Sequence, residues 1–218
     1  RKNFQLLTVI AACIGLSATG LRADDQQIRR LGWHPTRLKV VFDYASTLST
    51  DTLLIVTAGK TVGAFGDPRR SYNVHSVGTA LLSAMVGQHI GPGPKQIRLN
   101  ATLAELGIDD TPGPLTALQK RATVLHLIKS VSGINHAAAA EGDQAAEKKR
   151  RLGTGENIPG TKWAYNNWDY NALTTIFETR TGLTVAKAFD IGIAKPLGLQ
   201  DFTVSDVPYI TSPQHSQH

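Results

Sequence analysis

Cysteine is almost missing from this chain: Cys13 is the only one. It lies within the first 23 residues, so a chain cleaved after Ala23 has no thiol and forms no disulfide, although export alone would permit one. Methionine is equally scarce, at one residue, and aromatics make up 6%. Long apolar runs are also lacking. Phe4 to Leu16 is the longest mostly apolar stretch, and it is too short and too interrupted for a transmembrane span of about 20 residues. A strong charge of one sign is absent as well. The formal net charge of +6 includes Arg1, Lys2 and Arg22, and residues 24–218 alone carry +3. That weak balance gives no argument for nucleic acid. Disulfide-stapled, membrane-spanning and polyanion-binding classes are therefore disfavoured.

What is present fits a globular protein. The chain has 218 residues, 41% hydrophobic and 18% charged, enough for one domain or two closely packed lobes with a real core. Arg1 and Lys2, the apolar stretch and then Ala23 before Asp24-Asp25 follow the basic–apolar–small order of an export signal. We therefore expect a signal peptide over 1–23, a domain over 24–218, and a periplasmic or extracellular location. Ile10-Ala11-Ala12-Cys13 resembles a lipoprotein cleavage box, but the apolar run continues past Cys13, so lipidation is the minor alternative. The chain opens on Arg1, which reads as a start one residue after a methionine.

Helical spacing of Leu38, Val41, Phe42 and Ala45 predicts a helix within 24–45. Leu53 to Thr57, the turn Ala58-Gly59 and Thr61 to Phe65 predict a β-hairpin. A helix is expected from Ser76, with Val77, Leu81, Ala84 and Met85 on its apolar side. Shorter helices are expected over 101–106, from Thr123 to Ile128, from Trp168 to Thr179 with Gly182 as the stop, and from Thr184 to about Ile193. Pro196 to Leu199 reads as a turn, and Thr211 to His218 as a polar tail without an element. Two strands alone make a poor sheet with open edges. We expect further strands beyond His218.

Ser76 is the first residue with chemical interest. A serine at a helix N-terminus most often caps free backbone N–H groups. As a nucleophile it needs a base to take its proton. Thr79 lies one helical turn later on the same face. Its hydroxyl relays a hydrogen bond, but it is neither a cation nor a base near neutral pH. His75 is adjacent to Ser76, and adjacent residues on a helix do not face each other. His126 reads as a core or boundary residue, and His75, His126 and His136 lack metal-ligand spacing. Val74-His75-Ser76-Val77-Gly78 lacks the first glycine of a Gly-x-Ser-x-Gly elbow and the strand that must lead into it. Gly155 to Lys162 has the glycines of a phosphate loop, but its Thr-Lys pair is inverted and Pro159 removes an N–H. Lys148-Lys149-Arg150-Arg151 reads as a solvated helix end.

The stretch Pro159-Gly160-Thr161-Lys162-Trp163-Ala164-Tyr165-Asn166-Asn167 is the most specific in the chain. With Ala172-Leu173, Thr181-Gly182 and Pro196-Leu197-Gly198 it resembles, in order and spacing, the second active-site motif and following segment of the serine β-lactamase and penicillin-binding-protein superfamily, in particular its class C β-lactamase-like serine hydrolases. Asn73 to Val77, Leu81 to Ala84, Leu103 to Asp110 and Ser132-Gly133 extend the resemblance to roughly residues 32–203. The first motif there is Ser-x-x-Lys, and here Thr79 stands in the lysine position. The third motif lies on a later strand, expected beyond His218.

The resemblance implies an α/β (α+β) β-lactamase-like fold. An N-terminal helix and hairpin would belong to an α/β lobe, a mainly helical lobe would follow, and the C-terminal strands would be missing. It implies Ser76 as the acylated nucleophile and Tyr165 as a proton-transfer partner. It makes Asn167 a substrate-binding residue, and the Ser76 backbone N–H half of an oxyanion hole. Thr79 would be a lost motif position. The implied substrate is a small ester, amide or β-lactam, with no metal, organic cofactor or nucleic acid. Two readings stay open: a serine hydrolase, or a non-catalytic relative that binds cell-wall peptide or β-lactam.

Overall fold

A computed structural model of the chain describes residues 3–4, 22–111 and 113–210. The expected signal segment and polar tail lie almost wholly outside the described residues. The chain divides into two compact units. Of the described residues, one contains Asn3–Phe4, Asn73–Leu197 and the chain from Phe202 onward, and the other contains residues 22–72 together with Gly198–Asp201.

In the unit ending at Tyr72, the expected helix is two helices, α1 (Asp25–Arg30) and α2 (Pro35–Thr47). Asp24 starts the first, accepting the Gln27 N–H at 2.7 Å. Pro35 opens the second, where its missing N–H costs nothing. Ile28, Leu38 and Val62 are buried together, with Leu31, Phe42 and Ile55 packed against them. Val41, expected inward, is 42% exposed, because the stripe toward the core is carried by Leu38, Phe42 and Ala45. The hairpin forms as expected from β1 (Thr52–Thr57) and β2 (Lys60–Gly66). Ala58 and Gly59 both have positive φ, 49° and 72°, which suits the twist of a two-residue hairpin loop. The β2 edge is not wholly open. Ala23 donates its N–H to the Val62 carbonyl at 3.2 Å.

The other unit is mainly helical. Its helices are α3 (Val77–Gln88), α4 (Val124–Ile128), α5 (Gln144–Leu152), α6 (Asn167–Thr181), α7 (Val185–Phe189) and the single turn α8 (Lys195–Leu197). A short antiparallel pair joins Asn3–Phe4 to Tyr209–Ile210. Helix α6 packs against α3, α4 and α7, and it buries Trp168, Ala172, Leu173, Ile176 and Phe177. Gly182 stops it with φ +73°, a left-handed cap that glycine adopts without strain. Thr123 caps α4 as expected, accepting from the His126 N–H, while the His126 ring accepts from the Thr123 N–H. Burial holds the half-buried His126 imidazole below its usual range.

Three helical expectations need correction. The buried face of α3 is Gly78, Leu82, Met85 and Val86, one residue on from the expected face, and Val77 is 62% exposed. Residues 101–106 form a turn and not a helix. Leu103 and Val124 exchange backbone bonds with Ala122 and Ala101, and this extended pairing leaves room for only one turn. Beyond α7 the chain widens into a π-helical turn, Asp190–Ala194, where the Lys195 N–H reaches the Asp190 carbonyl. Pro196-Leu197 then continues as helix, so the expected turn begins only at Gly198, φ +64°.

Gly133 is required by space as well as conformation. Its φ is +78°, and a Cβ there would lie 2.9 Å from both the carbonyl oxygen and the Cβ of Asn157. Gly133→Ala is expected to cost about 1–3 kcal/mol, read as a lower midpoint in urea with an unchanged slope. An unchanged midpoint would count against this close approach.

Candidate active site

The chain enters α3 through a tight turn. Val77, Gly78 and Thr79 donate their N–H groups to the carbonyls of Val74, His75 and Ser76 at 3.0–3.1 Å. These are i→i−3 bonds, and they satisfy donors that a helix start normally leaves free. A capping side chain is therefore unnecessary. Ser76 occupies the cap position, yet its hydroxyl makes no capping bond, which corrects the expectation from its position. Among the described residues neither the Ser76 hydroxyl nor its amide N–H has a hydrogen-bond partner, and the side chain is exposed. Thr79 is different. Its hydroxyl donates to the Ser76 carbonyl at 2.8 Å.

His75 is not on the helix. It sits in the turn before it with φ +42°, and its N–H is held by Asn73 Oδ1 at 2.9 Å. The helix geometry that would turn adjacent side chains apart therefore does not apply to His75 and Ser76. Left-handed backbone at a non-glycine residue carries strain, and here it falls next to the serine.

The opposite wall is built on the segment before α6. Gly160 donates to the Val131 carbonyl at 2.7 Å and Ala164 to the Ser130 carbonyl at 3.0 Å, which ties the Pro159–Tyr165 stretch to the chain after α4. Asn166 is extended (φ −145°, ψ 110°) and caps α6, accepting from the Trp168 N–H. Side chains alternate across extended backbone. Asn166 accordingly turns inward at 1% exposure, while Tyr165 and Asn167 line the cleft.

The inward side is a buried polar network. Asn166 donates to the Ile134 carbonyl at 2.7 Å and to Asp169 Oδ1 at 3.1 Å. Ser132 donates to the same Asp169 oxygen at 2.6 Å. Lys148 reaches Asn166 Oδ1, the His136 carbonyl and the Glu141 carboxylate. Lys148 is 3% exposed. The solvated reading of 148–151 thus holds for Lys149, Arg150 and Arg151, and fails for Lys148. On the outer face Glu147 binds both Arg150 and Arg151, whose hydrogen bonds hold its carboxyl down at about 2. Nearby, Asp110 accepts from the Trp168 indole at 2.7 Å and lies 2.9 Å from His136 Nδ1.

Ser76, Thr79, Tyr165 and Asn167 come together. With His75, Tyr170, Asn171 and Ala139-Ala140 they line one open cleft. The Tyr165 hydroxyl is buried with no hydrogen-bond partner among the described residues, and its ring lies 5.7 Å from that of Tyr170. Tyr170 donates to the Ile128 carbonyl at 3.3 Å, and burial pushes its phenol up. Asn167 donates to the Ala140 carbonyl at 2.9 Å, which leaves its oxygen available. A profile of the Beta-lactamase family matches residues 52–218, spanning every one of these residues.

The chain belongs to the Beta-lactamase family. The mixture of helices with small antiparallel sheets agrees with the β-lactamase-like fold. No curated protein and no solved structure matches the chain significantly. Among the described residues no helix is long and apolar enough to cross a membrane, and no cluster of His, Cys, Asp and Glu is arranged for a metal ion.

Sequence reasoning missed the network behind the Pro159–Asn167 stretch. Lys148 had one signal: it stands four residues before Leu152, on the face that α5 buries. Asn166 had none beyond its place between Tyr165 and Asn167.

Two predictions follow from the network. Lys148→Met leaves Glu141 buried without its cation and should cost about 3–5 kcal/mol. Adding Glu141→Leu should recover most of that loss in urea unfolding, and no recovery would show that the two are not coupled. Asp169 is fully buried, its Oδ2 has no partner, and burial raises its pKa well above 3.8. The folded state therefore holds this proton more tightly than the unfolded chain. Stability from this residue is full below the unfolded carboxylate range and falls as pH rises through the folded value. Asp169→Asn should gain on the parent as pH rises above about 4. A gap in melting temperature that stays constant from pH 3.5 to 8 would contradict this.

Proposed function

We propose that the cleft is a serine acyl-transfer site, in which Ser76 Oγ attacks the carbonyl of a small ester, amide or β-lactam. The observation that carries this reading is the state of Ser76. It is exposed at a helix start with both its hydroxyl and its amide unengaged. A serine kept for capping would use its hydroxyl. The free amide is suited to receive the oxygen that becomes negative as the carbonyl carbon turns tetrahedral. The unpartnered Tyr165 hydroxyl supports a proton-transfer or substrate-binding role. The free Asn167 oxygen supports recognition of a substrate N–H.

Thr79 limits the chemistry. Its hydroxyl proton is committed to the Ser76 carbonyl, and threonine does not take a proton near neutral pH. Slow turnover of activated esters, whose leaving groups need least help, is the reaction such a site performs best. Amides and β-lactams then act as ligands or slow acylating agents. We also propose export, supported by the basic–apolar–small order of residues 1–23.

A p-nitrophenyl ester and a fluorophosphonate probe test the reading. Label on Ser76, located by peptide mass and lost in Ser76→Ala, is the expected result. Thr79→Lys should raise the acylation rate tenfold or more, out of the ~10²–10⁴ that a positioned base contributes. No label in the parent, together with tight β-lactam binding, would support the alternative of a non-catalytic binder.

A further inference from the structure

A serine ester cannot form until some group accepts the hydroxyl proton, and the lysine position of this family holds Thr79. The search for a replacement narrows quickly. Thr79 itself is engaged with the Ser76 carbonyl. Lys148 is buried, is bound to Glu141, Asn166 and the His136 carbonyl, and does not line the cleft. Of the cleft-lining side chains only His75, Tyr165 and Tyr170 titrate, and none of the lining residues carries a carboxylate, ammonium or guanidinium. Tyr170 has its proton committed to the Ile128 carbonyl. A phenol ordinarily gives up its proton only near pH 10, whereas an imidazole exchanges one near neutrality.

We propose that His75 is the base that takes the proton from Ser76, in place of the lysine. This rests on the acyl-transfer reading above. His75 and Ser76 line the same cleft, and the imidazole has no hydrogen bond or ion pair among the described residues. Its backbone is held in the left-handed region, with the N–H anchored on Asn73. That conformation takes His75 out of the helix, where it would have turned away from Ser76.

The step balances without an outside reagent. As the Oγ–C bond forms, the Oγ proton moves to the imidazole and the carbonyl electron pair moves to oxygen, facing the Ser76 amide. Collapse breaks the bond to the leaving alkoxide, which takes the proton from the imidazolium and departs as the alcohol. Water then gives a proton to His75 and attacks the acyl carbon. Ser76 Oγ leaves with that proton, and the acid is released.

The test uses His75→Asn, because asparagine tolerates the left-handed backbone and keeps the turn while removing the base. The expected result is a fall of about 10²-fold in Ser76 acylation by a p-nitrophenyl ester. The melting temperature should be unchanged, the limb of the pH–rate profile given by a neutral base should be lost, and added imidazole should partly restore the rate. In a Thr79→Lys background the loss from His75→Asn should shrink, because the new amine takes over. If Ser76 is labelled in the parent at a rate that His75→Asn does not change, the role of His75 is overturned while the acyl-transfer reading stands. If His75→Asn slows acylation but imidazole does not restore it and the pH limb persists, His75 is a turn residue only. If the parent is not labelled, both proposals fall together.

Discussion

The buried ammonium of Lys148 is the interaction on which the cleft depends. It is the one buried cation among the described residues, and it meets Glu141, the His136 carbonyl and Asn166 at one point. The partners belong to two pieces of chain, the loop between α4 and α5 and the cap of α6. A charge removed from water needs good geometry and several partners. Satisfying it, together with the α5 residue that carries it, fixes that loop against α5 and the start of α6. The position of Asn166 then determines where its neighbours lie. With Asn166 extended and inward, Tyr165 and Asn167 face the cleft, and Ala139-Ala140 supplies the adjoining wall.

Charge balance inside the network explains Asp169. Glu141 and Asp169 are both buried with one ammonium between them. Glu141 is in direct contact with Lys148. Asp169 instead receives hydrogen bonds from Ser132 and Asn166 on one oxygen, and burial drives its pKa up. With no cation in direct contact, Asp169 is the carboxyl that burial pushes toward its protonated form. A protonated acid still accepts two hydrogen bonds at Oδ1, and the start of α6 stays anchored without a second buried charge.

Much of this was legible in the sequence. The hairpin was readable from a compact β-favouring run and a turn that tolerates positive φ. Helix α6 was readable from periodicity and Gly182. The family was readable because Pro159 to Asn167 is long and specific. What was not legible depends on tertiary contacts. The face of α3 was misplaced by one position, since the apolar pattern of Val77, Leu81, Leu82, Met85 and Val86 fits two adjacent faces and packing against α6 and α7 selects one. Residues 101–106 have helical composition, but their pairing with Ala122 and Val124 pulls them into a turn. Lys148 looked like its three basic neighbours, and only the carboxylate from a distant loop distinguishes it.

Ser76 shows why position alone misleads. A serine at a helix start normally works for the helix, and its hydroxyl is then unavailable for chemistry. Here the first turn closes on itself with i→i−3 bonds, so the backbone meets its own needs and the side chain is released. The same tight turn holds His75 outside the helix with positive φ. Strain at His75 and freedom at Ser76 are therefore two consequences of one local geometry. Thr79 fits that geometry, because its hydroxyl bonds the Ser76 carbonyl and helps close the turn. Threonine at position 79 thus leaves the Ser76 hydroxyl exposed, and the His75 imidazole stands in the turn that exposes it.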